Sequence, residues 1–189
     1  MALAELARQS TQLGKASFAG SISEAMIALA AAPPTLALVD LFTVNYDFSG
    51  IQRLLERAGP VHTLAIDDRL NPTFARLAKD AGALGYVSKN LAPETLSSAI
   101  RTVAAGEAYF PPEVAPLVRS HRSPRLSPRQ LDVLKKLASG KSNKEIAEAL
   151  GISPGTVKLH IHAILKLTGA RNRTEAALVA GRFIAPTLS

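Results

Sequence analysis

The sequence predicts two domains of different class, an α/β domain built on a parallel sheet and a C-terminal all-α domain of four short helices. Three observations carry this. Apolar strand-like runs alternate with helix-like runs over residues 1–105, the pattern of a parallel sheet with crossover helices. Four helix-start signals with glycine stops crowd into Leu126 to Arg182. The positive charge is also confined to that second part. From His121 onward twelve Lys or Arg face four acids, a net of +8, whereas residues 1–120 carry −1, which together give the chain's +7.

In the first domain, residues 1–14 read as a short amphipathic helix with Glu5 and Arg8, not as a signal peptide. Lys15–Phe18 is a short strand and Ile22–Ala31 a helix, which Pro33 and Pro34 end. Thr35–Val39 is a buried strand leading to Asp40. Ser49–Ala58 is a helix, Val61–Ile66 a strand, and Pro72–Ala81 a helix opened by Asn71. Ala83–Val87 is a strand and Ala92–Ala105 a helix. The apolar stretch from Ala25 to Val39 is too short to span a bilayer and is cut by two prolines, so it predicts core and no membrane partner.

Residues 106–125 hold Pro111, Pro112, Pro116 and Pro124 among Arg and Ser, the composition of a linker, with one short helix near Glu113–Val118. The domains on either side, 1–105 and 126–189, are each long enough to bury a core. The chain has no cysteine, which removes disulfides and soft metal sites and fits a cytoplasmic protein.

The second domain is punctuated by caps. Ser127 is followed by Pro128 and Gln130, and Ser142 by Asn143, Lys144 and Glu145, a capping box. Ser153 precedes Pro154, and Asn172 precedes Glu175 by three positions. Gly140, Gly151 and Gly169 stand at the ends, where a left-handed residue is needed. A tight connection between the second and third helices makes a helix-turn-helix. Its basic charge points to a polyanion, and the combination points to double-stranded DNA.

The third helix, Pro154 to Leu167, is the recognition element. Val157, Ile161, Ile164 and Leu165 form the core stripe, which leaves Lys158, Leu159, His162 and Lys166 on the outer side. A recognition helix sets its N-terminal half against base edges, so Lys158, Leu159 and His162 are the candidate readers. Lys166 is placed to meet phosphate. Ser142, Asn143, Lys144 and Thr156 are expected to grip the backbone, and Arg173 of the last helix joins the DNA-binding set. His160 either packs inside or touches phosphate. His160 and His162 point to different faces, so no metal site and no cofactor are expected.

Residues 126–182, from LSPRQLDVLKKLASG to ARNRTEA, resemble the LuxR-type DNA-binding domain, also called the NarL/FixJ output domain. The resemblance implies a four-helix domain that binds DNA as a homodimer, often through its last helix. Here that helix carries Ala176, Ala177, Val179 and Ala180, small enough to pack against a twin.

Residues 1–106 resemble a response-regulator receiver domain through LALVDL with Asp40 and GALGYVSKN with Tyr86 and Lys89. The resemblance puts Asp40 at the phosphoacceptor position, Lys89 at the lysine that contacts the phosphoryl group, and Tyr86 at the aromatic position. The chain departs from the pattern in several places. The usual first strand with its paired acids is absent, and the phosphoacceptor of the family needs that pair to hold Mg²⁺. Ala65 aligns with the hydroxyl residue at the end of the fourth strand, and Val44 stands where proline is usual. Asp47, Asp67 and Asp68 are further carboxylates that no spacing groups together. The expected sheet has four strands, with an edge that a partner molecule could complete, and Lys89 pairs with Asp40.

The function expected is that of a sequence-specific DNA-binding transcriptional regulator, not an enzyme, with a degenerate receiver not switched by Mg²⁺-dependent aspartyl phosphorylation. A sensor kinase or another protein partner is the expected source of input. Two other readings stay open. One is a conventional phosphorylation-controlled two-component response regulator, and the other is a dimerising interaction module that modulates another regulator.

Overall fold

The computed structural model describes residues 17–31, 34–59, 61–119 and 125–184. The chain divides into two compact units, residues 1–120 and 121–189.

In the first unit the order is α1 (Ile22–Ala31), β1 (Leu36–Asp40), α2 (Phe48–Ala58), β2 (His62–Asp67), α3 (Pro72–Asp80), β3 (Gly85–Ser88), α4 (Pro93–Ala104) and α5 (Ala115–Arg119). Among the described residues the sheet has three strands in the order β1-β2-β3, all parallel. Each pair of neighbours is joined through a helix, as parallel strands require. β2 is central and Thr63 to Asp67 are buried, which is why Leu64, Ala65 and Ile66 run as consecutive apolar residues. Leu64, Ile66 and Val87 pack against Leu96, Ile100 and Val103 of α4. By strand alternation Ala65, Asp67 and Tyr86 face the other way.

The expected four-strand sheet is corrected to three described strands. Lys15 and Ala16 lie outside the described residues, as does the helix expected at 1–14. Ser17 and Phe18 are not in a strand, and Phe18 is 76% exposed, so its ring has no sheet to pack on.

Residues beyond α4 are not wholly a loose tether. Tyr86 donates its backbone N–H to the Tyr109 carbonyl (3.0 Å) and Tyr109 donates to the Leu84 carbonyl (3.2 Å), a parallel bridge on the β3 edge. Gly85 permits this approach, since a Cβ there would stand 2.8 Å from Leu64 and Val103 and 3.0 Å from the Tyr109 oxygen. Val114 and Val118 are buried, while Arg76 and Lys79 of α3 donate to the Leu117 and Val118 carbonyls. The short helix falls at Ala115–Arg119, two residues later than expected at its start.

The second unit is α6 (Pro128–Ala138), α7 (Asn143–Leu150), α8 (Pro154–Thr168) and α9 (Arg173–Ile184). Ser127 with Gln130 and Ser142 with Glu145 close full capping boxes. Ser153 caps α8 through the Thr156 amide, and Asn172 accepts from the Glu175 amide at 2.9 Å. Leu134, Ile146, Val157, Ile164 and Ala176 are fully buried and form one core. Between α7 and α8, Gly151 takes φ 63° and ψ 38°, a conformation that a Cβ would strain.

Candidate DNA interface and aspartate site

On α8 the core stripe is as the spacing requires. Val157 and Ile164 are buried, and Ile161 and Leu165 half-buried. Lys158, Leu159, His162 and Lys166 are all exposed, and Leu159 is 73% exposed although apolar. Lys158, His162 and Lys166 repeat every four residues, so they share one face with Leu159 beside them. His160 is half-buried and off this face.

Ser142, Asn143 and Lys144 open α7, and Arg173 reaches the same turn. Arg173 donates to the Lys141 carbonyl (2.7 Å) and to Asn143 Oδ1 (3.4 Å), tying the last helix to the first turn of α7. Ser142 and Glu145 exchange hydrogen bonds between side chain and backbone (2.8 and 3.3 Å), and Lys141 lies 3.1 Å from Glu145. The Ser142 amide, then Lys141, holds the Glu145 carboxyl down at about 2, against an ordinary 4.5. This contribution to the helix is present above the ordinary value and is lost only as pH falls through about 2. The cap uses the Ser142 and Glu145 amides, and those of Asn143 and Lys144 stand between them in the first turn. Thr156 is half-buried with its hydroxyl 2.9 Å from Ser153 Oγ. Lys141 was missed in the sequence reading, although its spacing of four from Glu145 is a signal that could have found it.

In the first unit Asp40 ends β1 and Lys89 follows β3. Lys89 Nζ lies 2.9 Å from Asp40 Oδ2, with both side chains about one-third exposed, so the pair contributes at most about 1 kcal/mol. Asp40 Oδ1 accepts from the Phe42 amide at 3.1 Å. Val44 lies in the turn at residues 41–46, where Asn45 and Tyr46 adopt left-handed φ of 51° and 54°, costly for residues with a Cβ. The residue at the end of β2 is Asp67, not Ala65. Ala65 is fully buried mid-strand opposite Val39 and Tyr86, while Asp67 pairs with Ser88 at the sheet's C-terminal edge. Asp67 Oδ1 lies 3.3 Å from the Tyr46 hydroxyl and Oδ2 3.4 Å from the Tyr86 hydroxyl. Tyr86 is fully buried, and burial, then the nearby Asp67 charge, pushes its phenol above the ordinary range. Asp47 instead caps α2 through the Gly50 amide (2.7 Å). Among the described residues no three acids, histidines or cysteines gather as a metal would need. No described helix is long and apolar enough to cross a membrane.

The model of the family described as bacterial regulatory proteins, luxR family, matches residues 124–180. The transcriptional regulatory protein UhpA of Salmonella typhimurium is 36% identical over 131 residues, covering 69% of this chain and 67% of the relative. The nitrate/nitrite response regulator NarP of Escherichia coli is 34% identical over 157 residues, covering 75% and 72%. A solved structure described as two RcsB dimers bound to two parallel DNAs superposes with a TM-score of 0.68 at 20% identity, covering 97% of this chain and 92% of that one. This last likeness is one of fold. With the helix-turn-helix geometry and the level of identity to these regulators, the chain belongs to the LuxR family of response regulators and is a DNA-binding regulator of transcription.

Proposed function

We propose that the chain reads a specific operator as a homodimer in the cytoplasm. Lys158, Leu159 and His162 would enter the major groove, while Ser142, Asn143, Lys144, Thr156 and Lys166 hold phosphates. Arg173 positions the α7 turn from behind. The observation that carries this is the outer face of α8, where an apolar Leu159 stands 73% exposed among basic residues. An isolated exposed leucine has no use in a monomer's core, but it fits against a thymine methyl. The solved RcsB complex is described as dimers on DNA, which supports a dimeric reading here. Two modules would then span half-sites roughly 34 Å apart.

The twin contact takes a different face of α9 from the one its small residues suggest. Ala176, Val179 and Ala180 are buried in their own unit. Leu178, 44% exposed, with exposed Thr174 and Gly181 on the same side, is the surface left for a partner. Leu178→Glu is expected to lower dimer content by light scattering and weaken operator binding at least tenfold, while a single exposed change leaves the fold within about 0.5 kcal/mol. Unchanged assembly and affinity would exclude α9 as the dimer surface.

For control of the protein, the reading is that Asp40 is not switched by Mg²⁺-dependent phosphorylation. It is supported by the ion pair that already engages Asp40 and by Asp67, a carboxylate where the family uses a hydroxyl. Above about pH 6 that carboxylate is ionised and repels a phosphoryl oxygen, and its oxygens already face Tyr46, Tyr86 and the Asp68 amide. Incubation with acetyl phosphate and Mg²⁺ is expected to leave the intact mass unchanged. A gain of one phosphoryl group, lost in Asp40→Ala, would establish conventional phosphorylation control. A sensor kinase would then be the input partner.

A further inference from the structure

We propose that Asp67 is a proton-binding site: in mildly acidic solution the fold holds it as a neutral carboxylic acid donating to Tyr86, and loss of its proton to solvent towards neutral pH loosens the turn at 41–46 and the first turn of α3. The Tyr86 hydroxyl has one proton and two acceptors in reach, the Arg69 carbonyl at 2.8 Å and Asp67 Oδ2 at 3.4 Å. The shorter bond takes the proton, and the same oxygen accepts from the Asn71 amide at 3.1 Å. With Asp67 ionised, its Oδ2 then faces an oxygen lone pair on Tyr86. With a proton on Oδ2, that contact becomes a donated hydrogen bond. Oδ1 keeps the Asp68 amide (2.8 Å) and the Tyr46 hydroxyl (3.3 Å) in either state. The contact between Oδ2 and the Tyr86 oxygen is satisfied only in the neutral form, and an unsatisfied buried polar contact is costly.

The surroundings agree. Asp67 has no exposed surface, and burial is the leading cause that pushes its carboxyl up to about 6 from an ordinary 3.8. The Asp68 amide and the Tyr46 hydroxyl pull it down, and the Asp68 carboxyl pushes it up. Few cations offset it. On its own turn stand Asp68 and Arg69. From β1 and β3 come Asp40 and Lys89, which pair with each other. The turn after β1 brings Tyr46 and ends at Asp47, held by the α2 amide of Gly50. On α3, Arg76 pairs with Asp80, and Lys79 is bound to the Val118 carbonyl.

The cluster joins three elements. Tyr46 holds a left-handed turn against the sheet and lies 4.9 Å from the Phe74 ring of α3. Tyr86 holds the α3 N-cap residue Asn71, and its own backbone N–H carries Tyr109. Because the carboxyl titrates higher in the fold than in the open chain, its stabilisation is complete below 3.8 and is lost as pH rises through about 6.

The test uses the full chain. In the wild type the Asp67 carboxyl carbon, followed by NMR and assigned by its loss in Asp67→Asn, is expected to titrate with a midpoint near 6. Hydrogen-exchange protection of residues 41–46 and 71–75, corrected for intrinsic rates, should fall about tenfold from about pH 5 to about pH 7.5. Asp67→Asn supplies an amide donor to Tyr86 and keeps the acceptor, so it should abolish that fall and match or exceed wild-type protection at the higher pH. A wild-type midpoint near 4, protection flat with pH, or an equal fall in Asp67→Asn would overturn the proposal. The carbon titration needs no variant, so a poorly folded Asp67→Asn would not rescue it.

Discussion

Ile164→Ala is expected to destabilise the helical unit by about 2–5 kcal/mol, the usual loss for emptying a fully buried aliphatic site. The side chain is fully buried on α8. It shares its core with Leu134, Ile146, Val157 and Ala176 of the other helices, so one cavity touches the packing of the whole unit. A domain of this size has a total stability of only about 3–9 kcal/mol. A large share would be lost, and operator binding would fall with it because the recognition helix is part of the same core. Urea unfolding followed by circular dichroism, alongside binding, checks this. Leu159→Ala on the same helix provides the contrast. Its side chain is exposed, so stability should change by no more than about 0.5 kcal/mol, while preference for one base pair declines. Similar stability losses in the two variants would mean that α8 faces its core differently from the arrangement described.

Lys158→Ala is expected to cost about 1–3 kcal/mol of discrimination at one base pair and to leave binding to unrelated duplex comparatively unaffected. Lys166→Ala is expected to do the reverse, weakening all sequences together and making the salt slope less steep by about one phosphate contact. The distinction follows from position along the helix. Lys158 is in the first turns, which approach base edges, whereas Lys166 is two turns further on and off the groove floor. Both are exposed with no ion pair described, so neither substitution should disturb the fold. Competition binding on selected and scrambled duplexes over a range of salt separates the two roles. Equal losses on both duplexes for Lys158→Ala would remove it from the base-reading set.

The helical unit was legible in the sequence because its determinants are local. Ser127, Ser142, Ser153 and Asn172 each act within three residues, and each does what its spacing implies. The sheet was legible in its order but not at its ends. Strands expected to stop at Val39 and Ile66 continue to Asp40 and Asp67. The apolar run ends one residue before the backbone ladder does, because the sheet's C-terminal edge puts those carboxylates to use. The cluster of Tyr46, Asp67 and Tyr86 could not be read in advance. Its members lie 21 and 19 residues apart, and no periodicity links a turn to a strand end. The same holds for Tyr109, which belongs by composition to a linker and by hydrogen bonding to the edge of β3. The small residues of α9 misled for a related reason: alanine suits a close helix contact, but whether the contact is with a twin or with its own core is a tertiary matter.

The most direct test of the account is a salt titration of the full chain on an operator obtained by selection from random duplexes. Affinity is expected to fall linearly on logarithmic axes as salt rises, about 0.9 in slope for each phosphate held. A preference for the selected duplex over a scrambled one should persist at each salt concentration. An equal affinity for both duplexes would contradict base reading by α8, and no measurable affinity for any duplex at low salt would contradict the interface altogether.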